Sequence, residues 1–225
     1  MTKVFVSWGW DLEDSKTFDS YFLASLKGKK IGYVPWAMPE SRYKACLERI
    51  EGFLPKQDGF DVLCLDEKIN YLSQKDLLQT LDAIYIGWGN TYRLMSLCRQ
   101  NLFLHFLEIF VKLDKPIYWG SAWAILFGKS IHSAPDANIT NLNEKESYWL
   151  GLFSNISFFC HYKTKNDWEI LDYINSHKNP VIALPEGGWL VLQDWKYSVH
   201  GSFNVYLFLP WEEKQELCVW EGFTL

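Results

Sequence analysis

No arginine follows Arg99, and nowhere along the chain do basic residues cluster. Lys and Arg number 22 against 27 Asp and Glu, a formal net charge of −5. That balance argues against nucleic acid as a partner, because a phosphate-binding face needs a basic patch. Long apolar runs are missing too. Nothing approaches the ~20 residues with which a helix spans a bilayer, so no membrane partner is expected. The opening segment, residues 1–10, has only a short apolar run before Asp11, too short for a secretory signal. Cys46, Cys64, Cys98, Cys160 and Cys218 form no CxxC pair and show no metal-ligand spacing. An odd, scattered set of this kind points to reduced thiols and a cytoplasmic location. Internal repeats, low-complexity tracts and linkers are absent, so residues 1–225 are expected to form one domain.

What is present is apolar and aromatic. Hydrophobic residues make up 48% of the chain, a globular composition, and aromatic residues 17%, with 12 tryptophans. Such an excess of rings either lines a pocket or an interface or is spread through the core. Apolar runs alternate with helical periodicity from the start. Strands are expected at Lys3–Trp8, Lys30–Pro35, Phe60–Leu65, Ala83–Ile86 and Ile117–Trp119. Helices are expected at Ser15–Leu26, Ser41–Phe53, Leu72–Leu81, after Thr91, and at Leu102–Leu113. This alternation predicts an α/β fold, a mostly parallel sheet covered by helices on both faces. Ser130 to Ser147 reads as loop. Beyond it come a strand at Ile156–Tyr162, a helix at Asn166–Ser176 and a strand at Val181–Leu184. Short strands then follow at 190–192, 197–199, 204–209 and 218–220, which suggests an antiparallel extension at one sheet edge.

The segment Pro116-Ile-Tyr-Trp-Gly-Ser-Ala-Trp-Ala-Ile-Leu-Phe-Gly128 has the pattern of a strand, a tight turn and a helix. A serine at such a turn is either an ordinary helix N-cap or a nucleophile elbow that pushes Oγ out of the sheet. In a parallel sheet the ligand crevice lies at the carboxyl ends of the strands. Three stretches should meet there: Gly87-Trp88-Gly89-Asn90-Thr91, Ser121 with Ala122, and Cys160-His161-Tyr162. The glycines free backbone N–H groups to approach a ligand, and Asn90 can cap the next helix. A serine needs a base, and the base needs a carboxylate to fix its tautomer. His161, at the end of an apolar strand, is the best base. Asp136 or Asp167 could orient it, and spacing alone does not choose between them.

Four segments in order carry a family resemblance: IYIGWGNTYRL, YWGSAWA, FFCHY and the Ala183-Leu-Pro-Glu-Gly187 turn before an apolar strand. Together they resemble the aspartyl dipeptidase (peptidase E) group of serine peptidases, related to the cyanophycinases. The resemblance implies a three-layer α/β/α fold of the class I glutamine-amidotransferase type. It also implies a Ser-Asp-His triad working on a small peptide substrate without cofactor or metal. Carried over by position, Ser121 is the nucleophile, His161 the base and Asp136 the acid. Gly89 and Ala122 supply the oxyanion donors, and Glu186 lies near the pocket.

The sequence departs from the family pattern at several points. The family elbow reads Ser-Ala-Gly-Ala, and Trp123 stands here in place of glycine. Trp88 interrupts the earlier glycine triplet. Both rings, with Asn90 and Glu186, are expected to line the substrate crevice. Trp123 is expected to project over it, to reduce activity on aspartyl dipeptides, and to raise turnover when replaced by glycine. No arginine is available to grip an aspartyl side chain after His161. Lys163 or Lys165 would have to serve as a point charge instead. Two further readings compete: a catalytically silent relative that binds a ligand or protein through an aromatic crevice, and an acyl transferase or esterase with the same triad.

Overall fold

Four-residue segments that are mostly or wholly apolar, such as Val4-Phe-Val-Ser7 and Ala83-Ile-Tyr-Ile86, are buried along their whole length, as strands covered on both faces must be. The computed structural model describes residues 3–8, 15–55, 58–134, 142, 155–194 and 196–224. Within them an eight-stranded sheet runs in the order β12-β9-β8-β1-β5-β4-β2-β3. Its parallel half comprises β1 (Val4–Ser7), β5 (Ile117–Gly120), β4 (Ala83–Ile86), β2 (Lys30–Val34) and β3 (Asp61–Cys64). Its antiparallel half comprises β8 (Gly188–Gln193), β9 (Lys196–Gly201) and β12 (Gly222–Phe223).

Helices connect the parallel strands, and side chains alternate between the two faces. Phe5, Tyr118, Tyr85 and Tyr33 are register partners on successive strands, so their rings form one row across the sheet. Helix α1 (Lys16–Ser25) lays Phe18 and Phe22 on that row, and α2 (Tyr43–Phe53) adds Phe53. On the opposite face Trp119 stacks on Phe127 of α6 (Ala122–Phe127). Helices α3 (Lys75–Thr80), α4 (Thr91–Gln100) and α5 (Phe103–Lys112) complete the crossovers. Most of the aromatic excess is therefore core.

The C-terminal part differs from the expectation of a single sheet with an antiparallel edge. Strands β6 (Ser157–Cys160), β7 (Val181–Leu184), β10 (Val205–Phe208) and β11 (Gln215–Leu217) form a second sheet in the order β11-β10-β7-β6. Helix α7 (Asp167–His177) covers it with Ile170, Tyr173 and Ile174, which pack on Phe159, Val181, Ala183 and Phe208. His161 thus follows a strand of the smaller sheet. The expected strand at 218–220 is instead a turn with Trp220 at φ 72°, flanked by β11 and β12.

Candidate active site

Ser121 joins β5 to α6 with φ 48° and ψ −106°, a conformation that non-glycine residues rarely hold. Its N–H donates to the Ser7 carbonyl at 3.0 Å and its carbonyl accepts from the Ile125 N–H at 3.1 Å, so sheet and helix fix the residue from both sides. Although Ser121 occupies the N-cap position, its hydroxyl makes no capping hydrogen bond. The ordinary N-cap explanation therefore does not account for this serine. Its Oγ instead stands 3.3 Å from His161 Nε2.

His161 also has a left-handed backbone, φ 57°, at the carboxyl end of β6. Its other ring nitrogen, Nδ1, lies 3.7 Å from Glu186 Oε1. Glu186 sits in the turn between β7 and β8, the connection that crosses from the small sheet to the large one. The two side chains are 50% and 59% exposed, so water screens their attraction; the pair acts by direction more than by energy. Glu186, expected only near the pocket, is the carboxylate seen beside the imidazole among the described residues. Its signal in the sequence was the glycine pair after it. Gly187, at φ 82°, turns the chain so that a Cβ there would press on the Phe203 ring at 2.7 Å.

Asp136 lies outside the described residues. Asp167, the other candidate acid, does not face the histidine. Its Oδ1 accepts the Tyr162 hydroxyl at 2.5 Å, and its Oδ2 meets Lys214 Nζ at 2.6 Å. Lys163 and Lys165 are exposed. His132 and His177 stack on each other, and His200 stacks on Trp189.

Gly89 has φ 143°, and a Cβ there would strike the Ala37 carbonyl oxygen at 2.3 Å, so only glycine fits this loop. Asn90 caps α4 as its position suggested: Oδ1 accepts the Arg93 N–H at 2.8 Å, and its own N–H reaches the Ala37 carbonyl at 2.8 Å. Its side-chain oxygen is thus engaged in the cap. Ala122 is buried and its N–H opens α6, where the first turn's donors have no intrahelical acceptor. Trp88 is partly buried beneath the Arg49 guanidinium, 5.7 Å from the ring centre.

Trp123 overturns an expectation. Its ring is fully buried, 5.5 Å from Phe127 and 6.1 Å from Phe103 of α5, and does not cover the crevice. The position two past the serine thus holds a large ring without turning it toward the crevice. The flanking Ala122 and Ala124 leave room for the indole on the core side of a helix buried on every face. A ring in this position does not block the crevice as expected.

A two-sheet α/β fold with a strained serine on its strand-to-helix turn, faced by a histidine, is the architecture of an α/β hydrolytic enzyme. The model of peptidase family S51 matches residues 7–200, and the chain belongs to that family. Among curated relatives, Peptidase E of Nostoc sp. (strain PCC 7120 / SAG 25.82 / UTEX 2576) is 26% identical over 198 residues, covering 84% of this chain and 79% of its own. Peptidase E of Actinobacillus pleuropneumoniae serotype 7 (strain AP76) is 25% identical over 213 residues, covering 87% and 84%. A crystal structure of a peptidase from an acI-B1 Actinobacterium aligns with a TM-score of 0.73 at 14% identity, covering 100% of this chain and 97% of that one, a likeness of fold. Family membership supports a peptidase function and peptide substrates. No helix among the described residues is long and apolar enough to cross a membrane, and no group of His, Cys, Asp or Glu among them could hold a metal ion.

Proposed function

We propose that the protein is a serine peptidase that hydrolyses short peptides at Ser121. The observation that carries this reading is the 3.3 Å approach of Ser121 Oγ to His161 Nε2 on a turn whose backbone strain frees the hydroxyl from capping. His161 takes the serine proton as Oγ attacks the scissile carbonyl. It then delivers that proton to the leaving amine, and the acyl-enzyme so formed is released by water through the same steps reversed in role. Glu186 faces Nδ1–H, so Nε2 is the nitrogen left to accept, and the carboxylate favours the imidazolium that forms. Asp136, the acid expected from the resemblance, lies outside the described residues, and the approach of Glu186 to Nδ1 is what supports giving the role to Glu186 here. The N–H groups of Gly89 and Ala122 are assigned to the oxyanion, the latter reinforced by the positive end of α6.

The burial of Trp123 removes one of the two rings that motivated a catalytically silent relative, and Trp88, partly buried beneath Arg49, is the other. No arginine follows His161 in the sequence to grip an aspartyl side chain, so the preferred peptides are expected to be uncharged at that position. The test is hydrolysis of a dipeptide panel, aspartyl and neutral, by the wild-type protein and by Ser121→Ala. Turnover of at least one neutral dipeptide should fall by a factor on the order of 10⁴ or more in the variant. Equal rates in the two proteins would remove Ser121 from the chemistry.

A further inference from the structure

His161 is held in a left-handed conformation, and such residues persist only where the surroundings over-determine them. For Ser121 the surroundings are sheet and helix backbone. For His161 they are different, because β6 ends at Cys160 and α7 begins only at Asp167. The Tyr162 N–H donates to the Leu184 carbonyl at 3.0 Å, and the Lys163 N–H donates to Asn166 Oδ1 at 3.0 Å. Beyond these, the residue after the histidine is gripped by its side chain. The Tyr162 hydroxyl donates to Asp167 Oδ1 at 2.5 Å, and Lys214 Nζ bonds both Asp167 Oδ2 at 2.6 Å and the Tyr162 oxygen at 3.1 Å. Lys214, between β10 and β11, also lies over the rings of Tyr162, Tyr206 and Phe208, with its Nζ 5.8, 5.4 and 5.7 Å from their centres.

We infer that Tyr162, Asp167 and Lys214 are positioning residues: a charged latch that fixes the backbone of the connection and so aims the His161 ring between Ser121 and Glu186. This rests on His161 acting as the base. The His161 side chain is half exposed and meets Glu186 at only 3.7 Å, so its own contacts hold the ring loosely. Directional control has to come through the main chain, and the anchor on the next residue is charge-assisted, the stronger class of hydrogen bond. Tyr162 follows β6, Lys214 lies between β10 and β11, and Asp167 opens α7, so the latch ties connections of the small sheet to its helix. The latch therefore carries the geometry of that sheet to a serine held by the large one. It also explains why the acid beside the histidine in sequence is not the acid at its ring.

The test uses the full chain carrying Tyr162→Phe, which removes one oxygen, and Lys214→Met, with Lys214→Arg as the conservative variant. Three readouts are taken: kcat and KM on the best dipeptide, the thermal midpoint, and the HN–Hα scalar coupling of His161 read together with its intraresidue HN–Hα NOE, which is strong only for a positive φ and so fixes its sign. In folded Tyr162→Phe and Lys214→Met proteins, kcat should fall by about 10- to 100-fold with KM within about twofold, the scale of a displaced catalytic group. The His161 coupling should move away from its wild-type value, and Lys214→Arg should restore both readouts. Unchanged kcat, or an unchanged coupling in both variants, overturns the latch. If the wild-type protein cleaves no dipeptide, the peptidase reading fails, and the coupling alone still decides whether the latch sets φ at His161.

Discussion

Ser121 and His161, 3.3 Å apart, follow strands of two different sheets: the serine comes after β5 of the large sheet and the histidine after β6 of the small one. The two sheets meet where α6 packs on β6, and the Cys160 thiol approaches the Ser121 carbonyl oxygen at 3.6 Å. The site is thus a seam. Ser121 and His161 both have positive φ, as do six other non-glycine residues among those described.

Glu186 is the carboxylate on which the orientation of His161 depends in this account. Glu186→Gln keeps the shape of the side chain and removes its charge. kcat should drop by about 10- to 1,000-fold, less than a fully buried acid would cost, because half-exposed groups are partly replaced by water. Steady-state kinetics on the folded variant check it. Full turnover in Glu186→Gln would return the role to another acid, with Asp136 first in line.

Trp123 is expected to matter for stability and not for access. Trp123→Gly empties a fully buried indole site and should cost about 3–5 kcal/mol, with roughly 1 more for glycine inside a helix. Trp123→Phe keeps most of the ring and removes an indole N–H that has no hydrogen-bond acceptor among the described residues, so its cost should stay within about 1.5 kcal/mol. Urea midpoints of the two variants distinguish these outcomes. A folded Trp123→Gly protein with raised turnover would contradict the core placement of the ring.

Lys115 donates from Nζ to the carbonyls of Leu78, Gln79 and Leu81 at 2.7, 3.1 and 2.6 Å, closing the C-terminus of α3 just before β5 begins. Burial lowers its pKa, yet three carbonyl acceptors compensate the ammonium. Lys115→Met leaves those carbonyls without a cation and should destabilise the fold by about 1–3 kcal/mol. Denaturant titration at neutral pH reads it directly, and an unchanged midpoint would show that water replaces the ammonium without loss.

His200 gives a pH dependence whose sign can be worked out. Burial against Trp189 holds its pKa below the usual histidine value, so the folded state favours the neutral ring. The unfolded chain then takes up the proton first as the pH falls, and stability present above about pH 6.5 is lost on acidification. The drop in thermal midpoint between about pH 7.5 and about pH 5 should be smaller in His200→Gln than in the wild type. Identical drops would mean that His200 does not contribute to the acid limb.

Much of this architecture was legible in the sequence. Val181–Leu184 and Ala83–Ile86 were read with the bounds they have, because fully buried strands are short apolar runs between turn residues. The serine, the histidine and the glycine loop were legible because each needs a special backbone or an element end. Partition of the strands between two sheets was not, since β6 and β7 carry the same apolar signature as strands of the large sheet. Nor was the direction of Trp123: a residue on a wholly buried helix has no polar face to mark its orientation. Glu186 and Asp167 were both visible as acids. Which one met the imidazole depended on where Lys214 and Tyr162 lie, 47 residues after Asp167 and five before it.

The central claim, an activated serine at the β5–α6 turn, is tested most directly by mass spectrometry after treatment with a fluorophosphonate. The account predicts one adduct, on the peptide containing Ser121, absent in Ser121→Ala and much slower to form in His161→Gln. A folded wild-type protein that stays unmodified while a reference serine hydrolase is labelled, or that is labelled at a different serine, would contradict it.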